Sequence, residues 1–292
     1  MFWQTYKTTI KNLFRSVTFW LLLMVFSGIV ISESLGVSHG ISLFDENGKF
    51  VEFVYDNDPK FILSYGIYIK RIINTVKATI MLYAMPMFTV ISVVLILNRD
   101  YGDSFYEIEK STGHKPSTYL FGRLSALVTV NFILAMLASF VALHLYVFTR
   151  GGVAHMEFLK YMIDSTARMM RVIACVAWPT ILFYIGITYF FGSLFKSGKV
   201  SAVVSLTHVM ASYFINAFAG RIFVPKVYTD YFSTQPQKLF WYLYHYDTSS
   251  FEETIMAQNT NFEKAAFCVV FLIAVGGLFS VFSCFLVRKR EL

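Results

Sequence analysis

The sequence predicts an all-α polytopic membrane protein with six transmembrane helices, an interfacial amphipathic helix at the N-terminus and a small extracellular β-hairpin. Three observations carry this expectation. The 292 residues are 56% hydrophobic and only 15% charged, whereas a soluble domain carries about a quarter of its residues as charges. Six long apolar runs, at 17–32, 78–97, 124–149, 172–193, 200–219 and 265–287, hold none of the 25 Lys/Arg or 18 Asp/Glu. A hydrocarbon core of about 30 Å needs about 20 helical residues, each rising about 1.5 Å, and every run but the first reaches that length. A charge at a helix centre costs roughly 2.5–3.5 kcal/mol on insertion, so the exclusion of charge from the runs is what lipid imposes.

Taken in order, residues 1–16 place Phe2, Trp3, Tyr6, Ile10, Leu13 and Phe14, with Val17 beyond, at helical spacing, and Lys7, Lys11, Asn12 and Arg15 elsewhere. That is the pattern of a helix lying in the membrane interface. No small-residue cleavage site follows the apolar run, so the segment reads as structure and not as a signal peptide. The first span, about 17–35, reaches full length only by extending to Leu35, with Glu33 near the outer interface. Asn47-Gly48 lies between two β-prone runs within 41–55, a strong hairpin signal because both residues tolerate positive φ. Asp56-Asn57-Asp58-Pro59 ends that ribbon, and 61–73 leads back as a helix. The other spans are about 78–97, 120–149, 169–195, 200–219 and 265–287, in a single domain covering 1–292. Pro86 and Pro179 fall inside spans and predict kinks.

Between the spans, 98–118 is a charged loop, and 150–171 opens on Gly151-Gly152 and turns helical over 156–168. The segment 220–264 is aromatic, with Tyr228, Tyr231, Phe232, Phe240, Trp241, Tyr242, Tyr244 and Tyr246. Such residues form either an interfacial belt or short helices that dip back into the membrane, buried in protein.

Segments 1–16, 98–123, 194–199 and 288–292 carry about twice the Lys/Arg density of 33–77, 150–171 and 220–264, which orients both termini and the charged loop toward the cytoplasm. The same bias makes the net charge +7 and points to anionic lipid, not nucleic acid, as its partner. A cell membrane, in particular a bacterial inner membrane, is the expected location. Cys175, Cys268 and Cys284 all fall in spans, where burial is the expected role and a disulfide is not.

Reactive constellations are missing. A phosphate-binding loop needs Gly, four residues, then Gly-Lys-Ser/Thr; Gly192 to Gly198-Lys199-Val200 has one residue too many and no hydroxyl. Glu252-Glu253 has no Arg or His partner at helical spacing, and the six histidines form no ligand-spaced pair. No catalytic residue, metal site or cofactor is therefore expected in this chain. Asn131, His144, Thr207, His208 and Asn216 are polar residues within spans. They serve either interhelical hydrogen bonds or a substrate path.

The loop after the second span runs Arg99-Asp100-Tyr101-Gly102-Asp103 through Phe105-Tyr106-Glu107-Ile108-Glu109 to Pro116-Ser117 and Tyr119-Leu120-Phe121-Gly122-Arg123-Leu124. With six spans, both termini inside and an interfacial first helix, the chain resembles the type-2 ATP-binding-cassette exporter permeases. Arg99, Asp100, Gly102 and Glu107 match the opening of that family's loop; the Pro-Ser turn and the Tyr-Leu-x-Gly-Arg-Leu entry to the third span match its close. The frequent Gly-Thr-Leu is Gly102-Asp103-Ser104-Phe105 here, and the usual Glu after Arg is Asp100.

The resemblance implies a transport subunit without ATPase activity of its own, partnered by a cytoplasmic ATPase subunit that binds ATP and Mg, and by a second, identical or different, permease subunit. It makes the loop the coupling element, with Lys196 and Lys199 flanking the same contact and Tyr231, Phe232, Trp241 and Tyr242 in an outer gate. Residue chemistry agrees: Asp100 and Asp103 near the start of a short helix would complement its dipole. Phe105, Tyr106 and Ile108 would be apolar anchors, and Glu107, Glu109 and Lys110 would pair across an interface. The implied cargo is an amphipathic peptide, a lipid-like molecule or a drug, moved outward. The alternatives are a secondary transporter or channel, which calls for repeated halves and mid-membrane charge; a membrane enzyme, which calls for a catalytic cluster; and a non-transporting scaffold or sensor.

Overall fold

The computed structural model describes residues 2–35, 41–44, 50–54, 84–102, 116–150, 156–218, 239 and 262–289. These are predominantly helical: α1 (Phe2–Arg15), α2 (Val17–Leu35), α3 (Ala84–Gly102), α4 (Pro116–Arg150), α5 (Met156–Phe195), α6 (Gly198–Phe218) and α7 (Phe262–Lys289). Strands β1 (Ile41–Phe44) and β2 (Phe50–Val54) pair antiparallel, Ile41 opposite Val54, with an irregularity between Leu43 and Phe44. Among the described residues four helices are long and apolar enough to cross a membrane, or five if the bent pair α1/α2 is one span.

The α1/α2 bend of 71° falls at Ser16, whose hydroxyl accepts from the Phe19 amide at 3.4 Å. That is the N-cap that lets a new helix start in a new direction. Outside the bend, the Trp20 indole donates to the Phe14 carbonyl at 2.7 Å. α1 is amphipathic, and the side it packs on the bundle is not its aromatic side. Thr5, Thr9 and Leu13 are buried while Phe2, Trp3 and Phe14 are exposed. The reason is steric: a Cβ on Gly122 of α4 would stand 3.0 Å from both the Phe2 carbonyl oxygen and the Thr5 Cβ. Only small side chains fit that crossing, and the rings are turned outward.

The bundle is centred on α5, a continuous helix of 40 residues that joins the expected helix at 156–168 to the expected span at 169–195. Of its apolar window, Ile173–Phe195, 72% is buried, against 28% for Glu263–Val287 in α7. α7 therefore lies at the periphery, and its Phe267, Val270, Leu278, Phe282 and Phe285 face outward. α5 and α7 run in parallel, because Gly276 packs on Leu182 and Phe183 and Phe279 on Phe190 at 4.9 Å between rings. Added Cβ atoms at Gly186 or Gly276 would run into the partner's backbone, so this seam is a direct backbone contact of the kind small residues permit between membrane helices.

α3 and α4 are antiparallel, joined midway by Asn131, whose amide donates to Ser92 Oγ at 3.0 Å and to the Leu127 carbonyl at 2.8 Å. α2 leans on α3 through Phe19, Phe26 and Phe88, with ring centroids 5.7 and 5.1 Å apart. Six further hydroxyls bond back one turn, those of Thr9, Thr129, Ser139, Thr188, Ser280 and Ser283. That is how a helix hides Ser and Thr from hydrocarbon. Pro179 lies inside α5 and removes the bond its nitrogen would give to the Cys175 carbonyl. Cys175 is exposed, Cys268 buried and Cys284 half-buried, all as free thiols.

Candidate functional site at the loop end of the bundle

Two helix termini differ from the sequence expectation, and both concern the charged loop. α3 runs on to Gly102 and α4 begins at Pro116, so 98–102 and 116–118 of the expected loop are helical, and 103–115 lie outside the described residues. Asp100 consequently lies in the last turn of α3 and not at the start of a short coupling helix. Apolarity stops at Leu97, but a helix needs only its backbone bonds and a partner for each buried charge. Asp100 has both.

The Asp100 carboxylate forms an ion pair with the Arg123 guanidinium of α4; their side chains are 0% and 5% exposed. The Tyr119 hydroxyl donates to the other Asp100 oxygen at 3.4 Å, a long bond. The Arg123 guanidinium carbon lies 4.1 Å from the centre of the Tyr119 ring, within the distance at which a cation is attracted to an aromatic face. Tyr119 and Arg123 are four residues apart, so one turn of α4 brings both to the same face. Tyr189 of α5 is fully buried. An aspartate, an arginine and a tyrosine thus tie two helices together where α3 ends and α4 begins.

Neighbouring turns converge on this point. A Cβ on Gly192 would strike the Leu97 side chain, and one on Gly198 the Asn98 side chain. This places the α5–α6 connection beside the end of α3. The connection itself is tight. Lys196 adopts φ 53, a left-handed conformation that costs a non-glycine residue roughly 1–2 kcal/mol. Ser197 then caps α6, its hydroxyl accepting from the Val200 amide at 3.3 Å. Ser201 returns to α5 by donating to the Thr188 carbonyl at 2.5 Å. Because α7 runs parallel to α5, it also finishes at this end. Arg99, Lys196 and Lys199 are exposed here, and Lys7 of α1 lies 5.3 Å from the Trp3 ring centre.

The expected site residues separate into groups. Arg99, Asp100, Gly102, Lys196 and Lys199 come together at the loop end, with Asp100 turned inward. Asp103, Phe105, Tyr106, Glu107, Ile108 and Glu109 lie outside the described residues, as do Tyr231, Phe232, Trp241 and Tyr242. Asn131 is fully buried and its amide is spent on joining α4 to α3. His208 of α6 packs beside Phe183 and Tyr184, with ring centres 6.1 and 6.2 Å away. His144 lies in α4 and Asn216 in α6, but their side chains are outside the described ones.

Arg123 and Tyr119 were not singled out from the sequence as acting together. The available signal was a pair of opposite charges, Asp100 and Arg123, flanking consecutive apolar runs. Compared with known protein families and with curated proteins, the chain matches none. Its class is that of a helical bundle of membrane type, with a polar knot at one end.

Proposed function

We propose that the chain is the membrane-spanning permease subunit of an ATP-binding-cassette exporter, driven by a separate ATPase subunit. In this reading it has six spans, an external β-hairpin over 41–55 and both termini in the cytoplasm of a bacterial cell. It pairs with a second permease subunit and moves an amphipathic peptide, a lipid-like molecule or a drug outward. ATP and Mg belong to the partner.

The observation that carries the reading is convergence. The end of α3, the start of α4, the tight α5–α6 turn with exposed Lys196 and Lys199, and the end of α7 all meet at one end of the bundle. A soluble engine needs such a surface, made of several connections that move with several helices. Basic side chains there also match the cytoplasmic side by the positive-inside rule. Phe105 and Glu107 are the residues that dock into the ATPase.

The test is purification of the complex from native membranes without crosslinker. A stoichiometric nucleotide-hydrolysing partner should co-purify and should be lost on Phe105→Ala with Glu107→Arg. Stable transport by the chain with no such partner sinks the proposal. Finding which compound raises the ATPase rate of the complex would then identify the cargo.

A further inference from the structure

We propose that Asp100 and Arg123, with Tyr119, form a clamp that fixes the spacing and orientation of the end of α3 and the start of α4, so that a displacement applied to either end is passed to both helices as one unit. The clamp consists of positioning residues and offers nothing to a partner's surface, since both charges are buried. Its use as a coupling device rests on the permease reading; its existence as a clamp does not.

Stability does not account for the pair. A buried ion pair loses much of its Coulomb energy to desolvation, and apolar side chains of similar volume often serve the fold equally well or better. What apolar packing lacks is direction. The carboxylate is engaged on both oxygens, by Arg123 and by Tyr119, and the guanidinium is held over the Tyr119 ring. Three mutual contacts among three side chains restrict both the distance between α3 and α4 and the rotation of α4 about its own axis. Thirteen sequence positions, 103–115, separate the two helix ends. Without a fixed base, a push on them would be absorbed by relative sliding of the helices. α5, the most buried of the apolar windows, packs beside the same base through Gly192 against Leu97.

The clamp is read by electron paramagnetic resonance on the full chain in lipid. Spin labels go at Arg99→Cys and Phe121→Cys, both exposed, after Cys175, Cys268 and Cys284 are changed to Ser. The unmodified pair should give one narrow distance distribution. Asp100→Asn or Arg123→Gln should broaden it at least twofold, and the swap of Asp100→Arg with Arg123→Asp should narrow it again. Asp100→Leu with Arg123→Met, which leaves no charge unpaired, keeps the test valid if the single variants fold poorly. It should fold and still give a broad distribution.

A narrow distribution in that apolar double variant overturns the clamp, because packing alone would then hold the helix ends. In complexes with a captured ATPase, the same double variant should hydrolyse ATP with at least a tenfold loss of transport per ATP. The two proposals fail separately. A clamp seen by resonance with no ATPase partner rejects the permease reading only. A partner captured while the distribution ignores the pair rejects the clamp only.

Discussion

The bundle is held at two joints that solve the same problem by opposite means. Between α5 and α7, Gly186 and Gly276 bring backbone against backbone, with no side chain between. Between α3 and α4, side chains do everything: Asp100 meets Arg123 and Tyr119 at one end, and Ser92 meets Asn131 midway. In lipid the hydrophobic effect gives helices little reason to associate, so close packing and polar contacts must supply the attraction. The glycine joint tolerates no added atom. The polar joint tolerates exchange, provided the partners change together.

The contrast is sharpest where the polar joint is broken on one side. Arg123→Met alone leaves the Asp100 carboxylate buried and unpaired, and should cost about 3–5 kcal/mol, read as a fall in the midpoint of thermal unfolding in detergent. Adding Asp100→Leu should recover most of that loss. Equal losses in the single and double variants would make the joint a matter of shape, like the glycine seam. Next in size, Gly276→Ala should cost about 1–3 kcal/mol as overpacking, at the upper end because the new methyl meets Leu182 and Phe183 backbone. No single partner change in α5 should rescue it. Rescue by trimming a nearby side chain would show that the seam is not a backbone contact.

A smaller effect is expected midway along α3. Ser92→Ala removes the interhelical bond to Asn131, and membrane double-mutant cycles put such bonds near 0.6 kcal/mol. A cycle with Asn131→Ala should return about that coupling, and zero coupling would mean Asn131 is satisfied by Leu127 alone. The smallest change should be a gain. Lys196→Gly relieves a left-handed residue at some cost in unfolded-chain entropy, for a net stabilisation below about 1 kcal/mol. A loss of stability there would show that the Lys196 side chain holds the turn by contacts of its own.

The apolar helices were legible from composition because exclusion of charge from lipid is a strong constraint over many residues. Helix ends were less legible. Hydropathy marked a stop at Leu97, yet α3 continues through Asn98, Arg99 and Asp100, because a buried carboxylate with a guanidinium opposite is no obstacle to a helix. That compensation depends on Arg123, 23 positions away, and no local window contains both. The face that α1 turns to the bundle was not legible for a similar reason. Amphipathicity shows which residues differ from their neighbours, but not whether the apolar side meets protein or lipid. Gly122 decided that, by leaving room only for Thr5. At the candidate site, exposed Arg99, Lys196 and Lys199 agree with the charge pattern, whereas Asp100 exchanged its surface role for an interior one.

The length of α5 has a mechanical meaning. Its 40 residues span about 60 Å at about 1.5 Å each, twice the thickness of a bilayer core. Gly186, where the helix bears directly on α7, is 9 residues from the Phe195 end and 30 from Met156. The seam therefore divides the helix unequally, like a fulcrum set near one end of a beam. A tilt of about 5° about that point moves the Phe195 end by only about 1 Å and the Met156 end by about 4 Å. Were α5 to pivot there as one rigid rod, with Pro179 in its long arm holding straight, a displacement at the Phe195 end would be enlarged roughly threefold at Met156.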